Sequence, residues 1–450
     1  MKTTMTQLAL TSKTLLKASA LSLFLTPMAL FADSSDPTQT MSRGEYLSHA
    51  GDCMACHTGT PDKPYAGGHG LASPLGTIYA TNITPDKTYG IGNYTLEDFD
   101  KAVRDGISKN HGPLYPAMPF VSYAKMSDED IASLYEYFMT EVEPIAEPNL
   151  PTDIEWPLNM RFPLYGWNAL IADKTAFEPN SSKSEEWNRG AYLVQGAAHC
   201  GTCHTPRDIT LAEKGTTEAS DQFLTGAQLG GWFAPGLRNI SMSDEELFTL
   251  LKEGKNTTHA FAGPMADVTS YSLRHLTDSD IQSMIVYLRD IELPVAPVAK
   301  IGESFNPKTE GYVLYQDFCS TCHGANGEGV TSVAPTLRDR GNGEVGRSLN
   351  IANAMLSGAE TAHREDRIAY SMPSYKETLT PDQMADIVNF VMNNKEWNNH
   401  NPLITGEEIV KLENSAPIIR GSWVLGAGTI VILLIAGFII RRIRKTHKAS

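Results

Sequence analysis

All six cysteines of this chain belong to three copies of one pattern, Cys-x-x-Cys-His, at residues 53–57, 200–204 and 319–323. In this pattern the two thiols can add to the vinyl groups of haem as thioethers, and the adjacent imidazole can bind the iron. The sequence therefore predicts three covalently bound haem c groups. The predicted attachment and proximal residues are Cys53, Cys56, His57, Cys200, Cys203, His204, Cys319, Cys322 and His323.

A single Cys-x-x-Cys pair is also compatible with half of a zinc site or with a redox disulfide. A zinc site would need a second pair of ligands near each motif, and no cysteine remains to supply one. A disulfide gives no reason for a histidine to follow the second cysteine three times. The repetition favours haem over both alternatives.

The group opposite each histidine decides whether a haem only passes electrons or also binds a small molecule. Each repeat offers a methionine beside a proline, namely Met118, Met265 and Met372, and the first two follow their histidines by 61 residues each. A neighbouring proline stiffens the loop that would present the thioether to the iron. We predict these methionines as the sixth ligands; the alternative is that they are core residues, as expected of the nearby Met126 and Met284.

Two helical patterns recur in every repeat and would position the motifs. An opening helix with a glycine precedes each motif, around residues 43–47, 189–193 and 311–315. A closing helix carries apolar residues at intervals of three and four and begins at a capping pair. The three pairs are Ser127 with Asp130, Thr277 with Asp280, and Thr380 with Gln383.

The two ends of the chain have the composition of targeting segments. Residues 1–32 combine three lysines with an apolar stretch and a small residue, which predicts a signal peptide. Residues 421–440 carry no charge and are followed by a basic tail at 441–450, which predicts one membrane helix with its tail in the cytoplasm. The expected location is the bacterial inner membrane, with the haem domains in the periplasm.

Between these ends the motif spacing predicts three domains of ordinary size. The expected boundaries are 41–142 for domain 1, 143–184 for a proline-rich linker, 185–291 for domain 2, 292–304 for a second linker, 305–398 for domain 3 and 399–420 for a spacer. Removing the three lysines of the first segment and the five cations of the tail changes the formal charge from −15 to −23. Such an acidic chain is a poor partner for nucleic acid.

A glycine-containing first helix that crosses an apolar last helix resembles the cytochrome c fold. The resemblance implies an all-α fold with three tandem cytochrome c-like domains, to which the composition of residues 421–440 adds the one C-terminal membrane helix. In cytochromes of this kind a proline and a leucine hold the proximal histidine, and Pro235 with Leu237 and Pro335 with Leu337 occupy that place. The first repeat offers residues 80–83 instead, which leaves its proximal hydrogen bond open.

More specific phrases lie between the motifs, at residues 81–86, 90–92, 114–119, 159–161, 166–168 and 200–206. Together they resemble the triple-haem cytochrome subunit of membrane-bound alcohol and gluconate dehydrogenases, over residues 41–398. That resemblance implies electron transfer from a separate quinoprotein or flavoprotein dehydrogenase subunit to ubiquinone in the inner membrane, without a catalytic residue of its own. The alternatives are a tethered carrier to a terminal oxidase and a multihaem peroxidase-like or sulfur-oxidising enzyme.

Overall fold

The computed structural model describes residues 41–292, 309–330, 333–339, 345–360, 371–399 and 401–413. These residues form helices and short strands. The first repeat and the segment after it contain α1 Arg43–Ala50, α2 Cys53–His57, β1 Gly70–Ser73, β2 Gly76–Tyr79, α3 Leu96–Asp105, β3 Ile107–Ser108, β4 Gly112–Pro113, α4 Phe120–Tyr123, α5 Asp128–Thr140, β5 Asp153–Ile154 and α6 Pro163–Leu170.

The second and third repeats follow the same order of opening helix, motif helix and closing helix. The second contains α7 Glu185–Tyr192, a π-helical turn Leu193–Ala197, α8 Cys200–His204, β6 Gly226–Leu229, β7 Trp232–Pro235, α9 Asp244–Glu253, α10 Pro264–Tyr271, a 3₁₀ turn Leu273–His275 and α11 Asp278–Asp290. The third contains α12 Glu310–Phe318, α13 Ser320–His323, α14 Val345–Ser357, β8 Ala359–Glu360, β9 Ser371–Met372, α15 Pro381–Met392, a 3₁₀ turn Lys395–Trp397 and α16 Gly406–Glu413.

The closing helices begin where the capping pairs predict. Ser127, Thr277 and Thr380 each accept a hydrogen bond from the backbone N–H three residues later. In the third repeat Gln383 also returns a bond to its N-cap and completes a capping box. Such caps satisfy N–H groups that have no partner inside the helix, so they fix the first turn of each closing helix.

A glycine lets each opening helix cross its closing helix in direct backbone contact. A Cβ on Gly44, Gly190 or Gly311 would overlap a carbonyl oxygen of the closing helix, at Ser133, Ser283 and Asp386 respectively. The crossing predicted from the sequence is therefore confirmed in all three repeats, as α1 with α5, α7 with α11 and α12 with α15.

Two separate apolar cores stabilise the described residues. One runs without interruption through the first two repeats, and it includes Leu47, Ile131, Leu193 and Ile281. The other belongs to the third repeat and surrounds Tyr315. The first two repeats thus share the burial of apolar surface that stabilises them.

The prediction of an all-α fold is wrong, because four small antiparallel sheets accompany the helices among the described residues. One has three strands in the order β1-β2-β5, and β3-β4, β6-β7 and β8-β9 form pairs. The strands have only two to four residues, too few for a clear alternation of apolar and polar side chains. One signal was available: Gly230 and Gly231 separate β6 from β7 and are typical of a hairpin turn.

The membrane-helix prediction at 421–440 and the signal-peptide prediction at 1–32 lie outside the described residues. No helix in the described part of the chain is long and apolar enough to cross a membrane. The fold class that the structure supports for the described residues is accordingly helical with small sheets.

The segment predicted as the first linker is structured. Its β5 pairs with β2 of the first repeat. Asn168 of α6 donates a hydrogen bond to the carbonyl oxygen of Asp105 at 2.5 Å, and the Trp167 indole donates to the Thr210 carbonyl oxygen at 2.8 Å. Residues 143–184 therefore pack on both of the repeats that they connect.

Candidate haem-attachment sites

Each attachment motif forms a short helix that ends at its histidine. The turns that lead into the first two motifs place a non-glycine residue in the left-handed region, Asp52 at φ 51° and His199 at φ 39°. This sharp turn separates the opening helix from the motif helix. All six cysteines lie among the described residues, and none of them forms a disulfide.

A backbone carbonyl oxygen holds every proximal histidine ring by its Nδ1. His57 donates to Thr81 at 2.6 Å, His204 to Pro235 at 2.7 Å and His323 to Pro335 at 2.9 Å. The hydrogen bond fixes the orientation of the ring through Nδ1, so Nε2 is the nitrogen that would bind iron, as in a metal-bound histidine. The prolines expected in the second and third repeats are confirmed in this role.

The first repeat has the same hydrogen bond although it has no proline there. Thr81 supplies the carbonyl oxygen, so the bond that the sequence left open is present. A carbonyl is available at every residue, and only the path of the loop decides which one reaches the ring. For this reason the residue type at position 81 could not indicate, in the sequence, that its carbonyl would accept this hydrogen bond.

In two repeats a glycine lets the loop after the histidine pass close to the acceptor carbonyl. Gly67 and Gly329 both have positive φ, and their N–H groups donate to the carbonyl oxygens of His57 and His323 at 2.7 Å each. A Cβ on Gly67 would lie 2.6 Å from the Thr81 carbonyl carbon, and one on Gly329 would lie 2.8 Å from the Pro335 carbonyl carbon. The glycines therefore let the histidine and its carbonyl partner approach each other.

Burial keeps the first two imidazoles neutral. Desolvation lowers the pKa of His57 and of His204, against the opposing effect of the hydrogen bonds to Thr81 and Pro235. A neutral imidazole is the form that binds a metal ion. The two rings are thus in the protonation state that an iron ligand needs.

The first thiol of each motif is also in an apolar environment. Burial raises the pKa of Cys53, Cys200 and Cys319 to about 12. Redox-active and zinc-binding cysteines sit where the thiolate is favoured, with a lowered pKa. Among the described residues, moreover, no group of three or more histidine, cysteine, aspartate or glutamate side chains is arranged to hold a metal ion. The environment of the thiols suits thioether attachment better than either alternative.

The three predicted sixth ligands differ from the nearby core methionines in burial. Met118, Met265 and Met372 are only partly buried, although each packs against an apolar core. Met126 and Met284 are both 2% exposed inside the shared core. Met118 lies in the turn before α4, Met265 in the first turn of α10 and Met372 in β9. Their role as iron ligands stays a prediction.

Two cysteines, one fixed neutral imidazole and a partly exposed methionine form a donor set that fits haem c in the first two repeats. The third repeat has the same residue types and the same histidine hydrogen bond. Among the described residues, each set is therefore suited to hold one covalent haem.

Comparison with known proteins agrees with this chemistry. A cytochrome c family model matches residues 309–395. The chain is 39% identical over 412 residues to the gluconate 2-dehydrogenase cytochrome c subunit of Pantoea cypripedii, which covers 87% of this chain and 93% of the relative. It is 37% identical over 435 residues to the cytochrome c subunit of the quinone alcohol dehydrogenase of Gluconacetobacter polyoxogenes, covering 91% and 92%.

A third relative, the fructose dehydrogenase cytochrome subunit of Gluconobacter japonicus, is 37% identical over 389 residues, which are 78% of this chain and 79% of that protein. Each of these three alignments covers more than three quarters of both proteins. The chain therefore belongs to the family of cytochrome c subunits of gluconate and quinone-linked alcohol dehydrogenases, electron-transfer proteins with covalently bound haem c.

Proposed function

We propose that this chain is a triple-haem electron-transfer subunit that receives electrons from a separate dehydrogenase catalytic subunit and delivers them to ubiquinone. The observation that supports it most is the threefold repetition of the site: each of three motif histidines is held by a backbone carbonyl oxygen. The chemistry that haem c supplies when bound is one-electron transfer between ferric and ferrous iron.

The residues of the chain then have distinct tasks. The cysteine pairs would attach the haems, and the three histidines His57, His204 and His323 with the three methionines Met118, Met265 and Met372 would supply the iron ligands. An iron ligated in this way would leave no position for peroxide or oxygen, so the proposal assigns no substrate chemistry to this chain. His/Met ligation also raises the reduction potential relative to ligation by two histidines.

The names of the relatives support a separate catalytic partner. They are called cytochrome subunits of dehydrogenases for gluconate, alcohol and fructose. Similar cytochromes serve dehydrogenases for three different substrates, so the choice of substrate belongs to the catalytic subunit, a quinoprotein or flavoprotein. Covalent haem attachment and the name of the quinone alcohol dehydrogenase support work at the periplasmic side of the inner membrane, with ubiquinone as acceptor.

The proposal is tested on the haem-loaded chain purified from its native membranes. We expect a dehydrogenase chain to co-purify, its substrate to reduce all haems, and a soluble ubiquinone analogue to reoxidise them. A preparation whose haems are reduced by no dehydrogenase substrate, or that accompanies a terminal oxidase alone, would contradict the proposal.

A further inference from the structure

Two aspartates at the start of closing helices connect the first two repeats. Asp130 and Asp280 each lie three residues after the N-cap, and each binds the arginine of its own opening helix. Arg43 donates to Asp130 Oδ1 at 2.8 Å, and Arg189 donates to Asp280 Oδ2 at 2.6 Å. These ion pairs fasten each opening helix to its own closing helix.

The same two carboxylates accept a second donor from the opposite repeat. Tyr46 of the first repeat donates its hydroxyl to Asp280 Oδ2 at 2.5 Å. Tyr192 of the second repeat donates to Asp130 Oδ2 at 2.6 Å. The exchange is reciprocal, as it is when two similar units are related by a twofold axis.

Each tyrosine hydroxyl is also an acceptor. The backbone N–H of Thr277 donates to the Tyr46 hydroxyl at 3.2 Å, and that of Ser127 donates to the Tyr192 hydroxyl at 3.1 Å. Both N–H groups belong to the N-caps of the opposite closing helices. Each tyrosine thus ties the first turn of the other repeat's closing helix to its own opening helix.

The carboxylates are well shielded from water, which makes these contacts strong. The side chains of Asp130 and Asp280 are 9% and 11% exposed. Burial and Asp280 raise the pKa of Tyr46 to about 12, and burial and Asp130 do the same for Tyr192. Both tyrosines therefore stay protonated donors at neutral pH, and hydrogen bonds to a charged partner are stronger than neutral ones.

The third repeat has none of these residues at the matching positions. Relative to its crossing glycine, Glu310 stands where the arginines stand and Val313 where the tyrosines stand. Gln383 replaces the aspartate and closes onto its own N-cap instead. Val313 is 50% exposed. The reciprocal hydrogen bonds between tyrosine and aspartate are therefore specific to the first two repeats, the same two that share one apolar core.

These reciprocal hydrogen bonds bring the attachment motifs of the first two repeats side by side. His199, the residue before Cys200, donates to the carbonyl oxygen of Gly51, two residues before Cys53, at 3.3 Å. Ser122 of α4 and Thr202 of the second motif place their hydroxyl oxygens 3.5 Å apart. In the mirrored arrangement, α10 of the second repeat contacts α2, the first motif helix.

We infer that the first two repeats form one rigid two-haem unit, and that Tyr46 and Tyr192 are positioning residues that fix the distance between haem 1 and haem 2. Haem 3 belongs to a separately stabilised domain. The inference rests on the proposed function in one respect, because it takes both motifs to carry haem. Beyond that function it gives the arrangement of the haems, in which haem 1 and haem 2 form a coupled pair and haem 3 lies in the domain that follows.

The test compares the haem-loaded full chain with Tyr46→Phe, Tyr192→Phe and the double variant. Phenylalanine keeps the buried ring, and each aspartate keeps its arginine, so the repeats stay folded. Hydrogen exchange measured by mass spectrometry should accelerate about tenfold in both repeats after either single change, since each hydroxyl contacts a charged group of the other repeat. In the double variant the acceleration should exceed that of either single variant in both repeats.

Low-temperature EPR of the ferric protein supplies a second readout, which a purely local loss of stability would not change. We expect magnetic interaction between haem 1 and haem 2 in the wild type and a weaker interaction in the double variant. Tyr315→Phe is the matched control, because its hydroxyl bonds backbone groups of its own repeat and donates to the carbonyl oxygen of Gly324 at 2.6 Å. It should leave the EPR interaction and the exchange of the first two repeats unchanged.

Two results would overturn the inference: acceleration confined to the repeat that carries the substitution, or an EPR interaction that is unchanged in the double variant. Haem content is measured on the same samples. Fewer than three haems counts against the proposed function, whereas full haem content with either contrary result counts against the two-haem unit alone.

Discussion

Three histidine rings in this chain are fixed by the same means, a hydrogen bond from Nδ1 to a backbone carbonyl oxygen. Because the acceptor belongs to the backbone, the geometry depends on the path of a loop and on the glycines that permit it. Residue types alone predicted His57, His204 and His323 as ligands and identified two of the three acceptors, Pro235 and Pro335. The third acceptor, Thr81, became visible only in the folded loop.

The predicted methionine ligands can be tested individually. Changing Met118 to histidine should lower the reduction potential of one haem and remove its methionine-to-iron absorption, because a second imidazole stabilises ferric iron more than a thioether does. Redox titration followed by visible spectroscopy measures both effects. The matched control is Met126→Leu, a buried methionine of the same repeat that is 2% exposed. Equal potentials in the variant and the control would show that Met118 is not a ligand.

At the scale of elements, the helices were predictable and the strands were not. Capping pairs and apolar stripes of three- and four-residue spacing predicted all three closing helices, since these signals extend over several turns. Strands of two to four residues, such as β3 and β8, are too short for a comparable pattern. Their pairing is decided by loops that return to the same place after the helices have packed.

The helix crossings are the element on which each repeat depends most. Gly44→Ala should destabilise the first repeat by ~3 kcal/mol, because the new Cβ overlaps the backbone of α5 and the helices must separate. The free energy of unfolding measured with denaturant checks this. Gly166→Ala is the control: it lies inside α6 with no atom within 4 Å of the added Cβ, and it should stabilise by up to ~1 kcal/mol. Similar effects of the two changes would refute a close crossing.

At the scale of the molecule, we expect the stability of the interface between the first two repeats to depend on pH. His49 and His275 stack there with ring centroids 4.0 Å apart. Burial and then the neighbouring His49 lower the pKa of His275 to about 4, with Arg274 and Lys252 acting in the same direction. Burial also lowers the pKa of His49, although its bond to Tyr271 and the charge of Glu45 oppose this.

The sign follows from proton counting. In the unfolded chain both imidazoles titrate near about 6.5, so below that pH the unfolded chain binds more protons than the folded one. Stability is therefore complete above about pH 6.5 and decreases as the pH falls towards 4. The thermal unfolding midpoint of the haem-loaded chain should fall by several degrees over this range. In the His275→Gln variant the unfolding midpoint should decrease less over this range. If the variant and the wild type had identical pH profiles, these two rings would not be the cause of the pH dependence.

The sequence also predicted the three attachment motifs and the family, because both depend on residue identities over short stretches. It did not predict that two repeats share one core, since Tyr46 and Asp280 are 234 residues apart and either alone is unremarkable. Long-range partners of this kind become apparent only after the helices have crossed.

The claim on which the whole account rests is that each of the three motifs carries a covalent haem. The most direct measurement is the number of haem c groups per chain, obtained from the intact mass of the purified protein together with its pyridine haemochrome spectrum. The account predicts three, and it predicts that removing either cysteine pair Cys53/Cys56 or Cys319/Cys322 reduces the number to two. A chain that carries one or two haems when all six cysteines are present would contradict it.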